Sequence, residues 1–315
     1  MRALLIVNPR ATSTTRLRRD VITRALASAV DLAVVETRYR GHATRLAGSA
    51  ASAGHGLVLT LGGDGTVNEA VNGILVGGGA GQGRMGSSGR PALAPLPGGS
   101  ANVFTRALGL PADPVDAAGQ IINGLSAGRD RSIGLGLAEG RYFTFNAGLG
   151  LDAEVVRAVE GLRAQGRPAT PALYMRIALR QYYRVTDRRH PALSLDRDGQ
   201  PPVGPLFLGI VSNTAPWTYV GRRAVQASPQ AGFDSGLDVF ALRSLRSVGT
   251  FSALRQMLSG GDRPPRGRHV VSLHDEAELT MRASRPIAFQ VDGEYVGERE
   301  CVTFRSVPHA LRVIA

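Results

Sequence analysis

Leu57-Val58-Leu59-Thr60-Leu61-Gly62-Gly63-Asp64-Gly65-Thr66-Val67-Asn68-Glu69-Ala70-Val71-Asn72-Gly73 is the stretch on which the fold turns. Leu57–Leu61 is a short apolar run without polar alternation, the pattern of a strand buried on both faces of a parallel sheet. The glycines after it accept positive φ and bring backbone N–H groups close to a ligand. A helix starting near Val67 would add free amides and the positive end of its dipole, an arrangement that suits phosphate. Asp64 would repel a phosphate directly, so a metal ion or a hydroxyl is its expected neighbour. A tight strand–helix turn with no ligand explains the same residues, and the turn alone leaves both readings open.

The same rhythm extends on either side. Ala3–Asn8 reads as a strand ending in Asn8-Pro9-Arg10-Ala11-Thr12, and Thr15–Val30 carries apolar residues at helical spacing. Asp31–Thr37 returns as a strand before the helix opened by Arg40–Thr44. After a glycine-rich run, Gly77–Gly89, read as a surface loop and tolerated insertion, Ala92–Leu96 runs into Pro97-Gly98-Gly99-Ser100-Ala101-Asn102. This second strand–glycine turn–helix unit would face the first across one phosphate-binding crevice. The β-α-β-α-β order predicts an α/β fold, a parallel sheet wrapped by helices over residues 1–130.

From Arg131 the texture changes to short strands separated by turn signals such as Asp198-Gly199. Expected strands are Arg131–Leu137, Tyr142–Ala147, Ala192–Asp196, Leu206–Ser212, Leu237–Leu242, Val270–Leu273 and Leu279–Arg282. They predict a mostly antiparallel β-sandwich over residues 131–310, interrupted by helices at Ala153–Arg163, Pro171–Tyr183 and Ser247–Leu258. The last residues, Leu311–Ala315, would return as a strand to the first domain.

Composition narrows the chemistry. The net charge of +12 favours anionic partners. Every basic residue other than histidine is arginine, as a GC-rich genome would favour, and without a lysine there is no Walker-type phosphate loop. The single Cys301 excludes an internal disulfide and a cysteine-cluster metal site. No apolar run spans a bilayer, and Ala3–Val7 is too short for a secretory signal, so the chain reads as cytoplasmic. The arginine-rich loop Asp262–Arg268 reads first as a solvated connector and second as a contact for anionic headgroups. No nucleic-acid motif accompanies the charge.

Several motifs agree in order: Asn8-Pro9, Gly62–Glu69, Pro97–Asn102, Phe145-Asn146-Ala147-Gly148-Leu149-Gly150-Leu151-Asp152-Ala153 and Gln290-Val291-Asp292-Gly293-Glu294. Together they resemble the bacterial diacylglycerol kinase family of lipid kinases, related to the sphingosine and ceramide kinases. The glycine turn alone is shared with NAD kinases. The resemblance implies that Asn8, Pro9, Arg10, Ala11, Thr12, Thr37, Gly63, Asp64, Gly65, Thr66, Val67, Asn68, Glu69 and Ser100 contact ATP, with Ser100 where the family usually has threonine. It implies that Glu294 is the general base for a lipid hydroxyl attacking the γ-phosphate, diacylglycerol going to phosphatidic acid. It further implies Mg2+, a peripheral contact with an anionic membrane surface, and room for a homodimer. The family's aspartate after the second glycine turn is Val103 here, which shifts metal duty toward Asp64. A structural magnesium ligated around Asp234 and Leu237 is also implied, although Ser235 stands where an aspartate would align. Rival readings are a soluble nucleotide kinase of the NAD kinase type and a non-catalytic nucleotide- or lipid-binding regulator.

Overall fold

Four parallel strands, two of them with no exposed residue, open the chain. The computed structural model describes residues 1–11, 15–76, 89–165 and 171–315, so Thr12 and residues 77–88 of the glycine-rich run fall outside the described residues. The chain divides into two compact units, Met1–Gly134 with Pro308–Ala315, and Leu135–Val307.

In the first unit the order is β1 (Arg2–Val7), α1 (Arg16–Ala27), β2 (Asp31–Glu36), α2 (His42–Ala50), β3 (Leu57–Gly62) and α3 (Asp64–Val76). β4 (Ala92–Pro97), α4 (Val103–Ala107) and α5 (Pro114–Ser126) complete it. The strands lie in the order β2-β1-β3-β4, all parallel. β3 and β4 are buried along their whole length, which is why they read as unbroken apolar runs, whereas edge strand β2 is half exposed. Ile314 donates its amide to the Leu93 carbonyl, and Val313 pairs in parallel with Leu93, so the chain's last residues do return to this sheet.

One expectation is corrected at the first glycine turn. The helix begins at Asp64, not near Val67, because the Gly63 carbonyl already accepts the amides of Thr66 and Val67. Asp64 in the first turn complements the helix dipole.

The second unit begins within β5 (Arg131–Ala138) and continues through β6 (Arg141–Phe143), β7 (Asn146–Gly150), α6 (Leu151–Ala164) and α7 (Pro171–Arg180). A π-helical turn, Gln181–Val185, extends α7. There follow β8 (Leu193–Arg197), β9 (Gln200–Leu206), β10 (Leu208–Ser212), β11 (Thr218–Val220), β12 (Arg223–Val225), β13 (Leu237–Leu242) and α8 (Ser247–Leu258). β14 (Val270–Glu276), β15 (Glu278–Val291) and β16 (Glu294–Val313) end it. Its pairings are antiparallel, in the order β14-β13-β10-β7-β15-β16. β15 pairs through Thr280–Ala283 with β8 and through Phe289–Val291 with β7. A register shift between Arg282 and Ile287 lets one strand serve both. Alternation along β13 explains the packing on both faces. Leu237, Val239 and Ala241 join one apolar cluster with Phe143, Phe289 and Phe304, while Phe240 and Leu242 join another with Tyr182 and Met257.

Three sequence expectations change here. Tyr142–Ala147 is two strands, because the amides of Thr144 and Phe145 leave the ladder for the Asp292 carboxylate. Leu206–Ser212 is broken at Phe207, whose amide goes to the Leu242 carbonyl. Leu279–Arg282 is the core of a strand more than three times longer.

Candidate functional site

The carboxyl ends of β1, β3 and β4 lie at one edge because the strands are parallel and in register, Val7 opposite Leu61 and Gly62 opposite Pro97. Open α/β sheets bind ligands at this edge. The Thr37 amide donates to the Val7 carbonyl, bringing the residue after β2 to the same edge. Asn8 ties two of the loops together. Its amide donates to the Leu61 carbonyl, its Nδ2 donates to Thr66 Oγ1 at 3.1 Å, and its Oδ1 accepts from the Arg10 amide at 3.0 Å. Pro9 and Arg10 are exposed and Ala11 is half-buried.

The two glycine turns touch. A Cβ built on Gly99 would stand 2.7 Å from Gly63 Cα, and one on Gly98 would stand 2.9 Å from the Gly62 backbone. The Gly98 amide donates to the Gly62 carbonyl at 2.8 Å. The turns therefore abut backbone to backbone rather than facing each other across a crevice, and packing alone requires glycine here. The second turn is closed by Asn102, in left-handed conformation, whose side chain accepts from the Gly99 amide and donates to the Gly99 carbonyl, both at 2.8 Å. Asp64 Oδ1 accepts the Phe104 amide at 3.1 Å, so its first partner is the backbone of α4. Ser100 is exposed beside these groups.

The run Gly63–Glu69, expected to contact ATP as a block, is divided by the fold. Gly63, Asp64 and Gly65 are half-buried at the edge, and Thr66 is held there by Asn8. Val67 and Asn68 are buried, and the carbonyl and Oδ1 of Asn68 accept from Asn72. Glu69 is engaged elsewhere. Its two oxygens accept the amides of Gly41 at 2.7 Å and Ala43 at 3.0 Å, capping α2, whose own N-cap residue Gly41 has no side chain to do so. The side chains of Val67, Asn68 and Glu69 are therefore engaged within the fold of the first unit. Thr12 lies outside the described residues.

In the second unit, Asp292-Gly293 forms the turn between β15 and β16, both residues at positive φ, with Val291 paired to Glu294. The Asp292 carboxylate is buried and accepts four hydrogen bonds, from the Thr144 amide and hydroxyl and the amides of Phe145 and Asn146. Burial pushes its pKa up, and those donors oppose the rise. The Gly293 amide donates to Gln290 Oε1, and Gln290 Nε2 donates to Asn146 Oδ1 and Asp152 Oδ2, both at 2.8 Å. Burial raises the Asp152 pKa to about 6, with the Gln290 hydrogen bond opposing. Glu294 Oε2 pairs with Arg141 Nη2 at 2.7 Å. A polar network thus holds the turn and aims the Glu294 carboxylate. Asn146, Asp152 and Gln290 stand in motifs quoted from the sequence, yet no role was read for them, because only the fold brings them onto one turn. Arg141 stands outside every motif, and no sequence signal marks it.

Near β13, Asp234 is exposed and the Leu237 side chain is buried. The neighbouring carboxylates are engaged: Asp238 Oδ1 with His274 Nδ1 and the Asp275 amide, Asp275 Oδ1 with the Gly236 amide. Among the described residues no group of three or more His, Cys, Asp or Glu could hold a metal ion. This donor set does not fit the magnesium site expected from Asp234 and Leu237.

The family profile "Diacylglycerol kinase catalytic domain" matches residues 2–130. A diacylglycerol kinase of Bacillus subtilis (strain 168) is 27% identical over 266 residues, 83% of this chain and 78% of that one. A diacylglycerol kinase of Staphylococcus aureus (strain JH9) is 24% identical over 309 residues, 94% of this chain and 87% of that one. A crystal structure of a diacylglycerol kinase from Bacillus anthracis str. Sterne superposes with a TM-score of 0.68 at 21% identity, covering 99% of this chain and 96% of that one. At that identity the superposition speaks for the fold.

Proposed function

We propose that this chain, which belongs to the bacterial diacylglycerol kinase family, transfers the γ-phosphate of ATP to a lipid hydroxyl, with diacylglycerol as acceptor and phosphatidic acid as product. The observation that supports the reading is where the catalytic-domain match falls. Residues 2–130 contain the whole sheet edge on which Asn8, Thr37, Gly63–Thr66 and Ser100 stand together, in a chain with no phosphate-loop lysine.

Phosphoryl transfer asks the protein mainly to position its reactants and neutralise charge. In this reading the first unit binds the nucleotide through the loop at Asn8 and the turn at Gly63–Thr66, with Ser100 offering a hydroxyl. Asp64 is the carboxylate at that edge and the residue that would hold Mg2+, an ion that offsets phosphate charge when bound. Glu294 accepts the proton of the attacking hydroxyl, while its ion pair with Arg141 fixes the carboxylate in place. Asp292 and Gln290 hold the turn that carries it.

The test is radiolabelled ATP incubated with the protein and, separately, dispersed diacylglycerol, total lipid extract and NAD. Label in the diacylglycerol arm, chromatographing as phosphatidic acid, is the expected result. Label in another lipid would correct the acceptor, label in NAD would replace the reading with a nucleotide kinase, and ATP binding without transfer to any arm would leave a regulator.

A further inference from the structure

α6 starts at the residue after β7 ends, and its first turn carries Asp152 inward to Gln290 of β15, Oδ2 accepting from Nε2 at 2.8 Å. β7 and β15 are neighbours in the sheet, with Gly148 opposite Gln290. A Cβ on Gly148 would stand 3.1 Å from Asp152 Oδ2 and 3.5 Å from Gln290 Nε2, so the strand is bare where carboxylate and amide meet. Gln290 is 1% exposed, and its Nε2 also donates to Asn146 Oδ1 while its Oε1 accepts the Gly293 amide at 2.9 Å. The terminal torsion of a glutamine is broad, so one acceptor would leave the amide plane free to turn. Two acceptors, one on β7 and one on α6, fix the plane and with it the direction of Oε1 toward Gly293. Gly293 is the residue before Glu294. A first-turn carboxylate also complements the helix dipole, and Glu154 stands in the same turn. The dipole asks only for negative charge, whereas the Gln290 amide asks for an acceptor at one place.

We propose that Asp152 is a positioning residue for the Glu294 carboxylate, acting through Gln290 on the Asp292-Gly293 turn. α6 also reaches the far side of that turn. There Arg157 Nη1 pairs with Glu298 at 3.0 Å, and the guanidinium lies 5.5 Å from the centre of the Tyr295 ring. The Arg157 and Glu298 side chains are 57% and 46% exposed, and exposed ion pairs hold little. The Gln290 donors are shut off from water and depend on their acceptors. The inner link therefore carries the positioning, and the outer one serves as its control. The inference rests on the reading of Glu294 as general base for its catalytic meaning, but the order of the turn is measurable without turnover, so either can fail alone.

The experiment pairs hydrogen exchange at the Gly293 amide, followed by NMR on the full chain without nucleotide, with initial rates against ATP and dispersed diacylglycerol. Asp152→Ala should speed exchange at Gly293 by about tenfold. It should lower turnover by about tenfold to a hundredfold, the cost of displacing a reacting group by up to about 1 Å, with KM for ATP within about twofold. Asp152→Asn keeps the acceptor without the charge and should restore both exchange and turnover. Gln290→Met cuts the same link from its other end and should lose at least as much, which decides the matter if Asp152→Ala does not fold. Arg157→Met should behave as wild type. Normal exchange at Gly293 in Asp152→Ala, or faster exchange with undiminished turnover, would overturn the assignment. So would failure of Asp152→Asn to restore turnover, because charge at the helix end would then be the cause. An equal loss in Arg157→Met would overturn it too, since the whole helix would then be responsible. A wild type that transfers no phosphate to the lipid would remove the lipid-kinase reading, while the exchange measurement still decides whether Asp152 orders the turn.

Discussion

Arg141 and Glu294, 153 residues apart in the chain, meet through a 2.7 Å ion pair in which neither side chain is more than 27% exposed. Glu294 begins a strand immediately after a two-residue turn, and that turn is fixed by the buried Asp292 and by Gln290. The carboxylate is therefore restrained both by its backbone and by its partner, as a group positioned for proton transfer must be.

Glu294→Gln preserves the size of the side chain and its hydrogen bond to Arg141 while removing the basic carboxylate. Loss of a general base lowers rate by about 10²–10⁴. Turnover should fall by that order with ATP affinity almost unchanged, as read by initial rates beside a nucleotide titration. Weaker ATP binding with normal turnover at saturation would make Glu294 a binding residue.

Glu69→Ala separates two roles for one residue. As the cap of α2, it should cost about 1 kcal/mol, seen as a melting temperature lower by about 2–4 °C. Nucleotide affinity should stay within about twofold, an amount on the order of 0.4 kcal/mol. A tenfold loss of ATP affinity without a change in melting would return Glu69 to the nucleotide site.

Gly99→Ala puts a methyl group 2.7 Å from Gly63 Cα, where only backbone can give way. It should destabilise the fold by about 1–3 kcal/mol in denaturant titration. Gly119→Ala is the matched control. No atom lies within 4 Å of its Cβ position inside α5, and alanine there should stabilise by about 0.5–1 kcal/mol.

Asp152 gives stability a pH dependence of defined sign. Its folded pKa, about 6, exceeds the usual 3.8, so the folded state binds the proton more tightly than the unfolded chain. Stability from this group is full below the lower value and is lost as pH rises through the upper one. Asp152→Asn can still accept from Gln290 and should flatten that decline. The gain near neutral pH should be at most about 3 kcal/mol, read by chemical denaturation at several pH values. A wild-type profile that rises across the same window would refute the assignment.

The parallel half was legible because buried strands read as bare apolar runs and helices follow them at once. The antiparallel half was harder where proline stands inside strands. β9 contains Pro201, Pro202 and Pro205, and β15 contains Pro286, each of which reads as a break. β9 pairs only with β8, an edge position that spares the missing amides, and the register shift before Ile287 accommodates Pro286. At the site, motif residues located the loops, but their division of labour was not visible. Glu69 and Thr66 are three residues apart, yet the turn of α3 sends one toward α2 and the other toward Asn8. Arg141 was illegible because its partner lies in another hairpin.

The closing strand has a consequence for synthesis. Val313 pairs with Leu93, 220 positions away in sequence, and residues 308–315 belong to the unit that the first 134 residues begin. While a ribosome is making residues 135–307, the nascent parallel sheet must wait with β4 unpaired on one side, an open edge of the kind that recruits other chains. The first unit is thus started before the second and completed after it. A product released even a few residues short of Leu311 would carry every motif of the first unit on a sheet left open to aggregation.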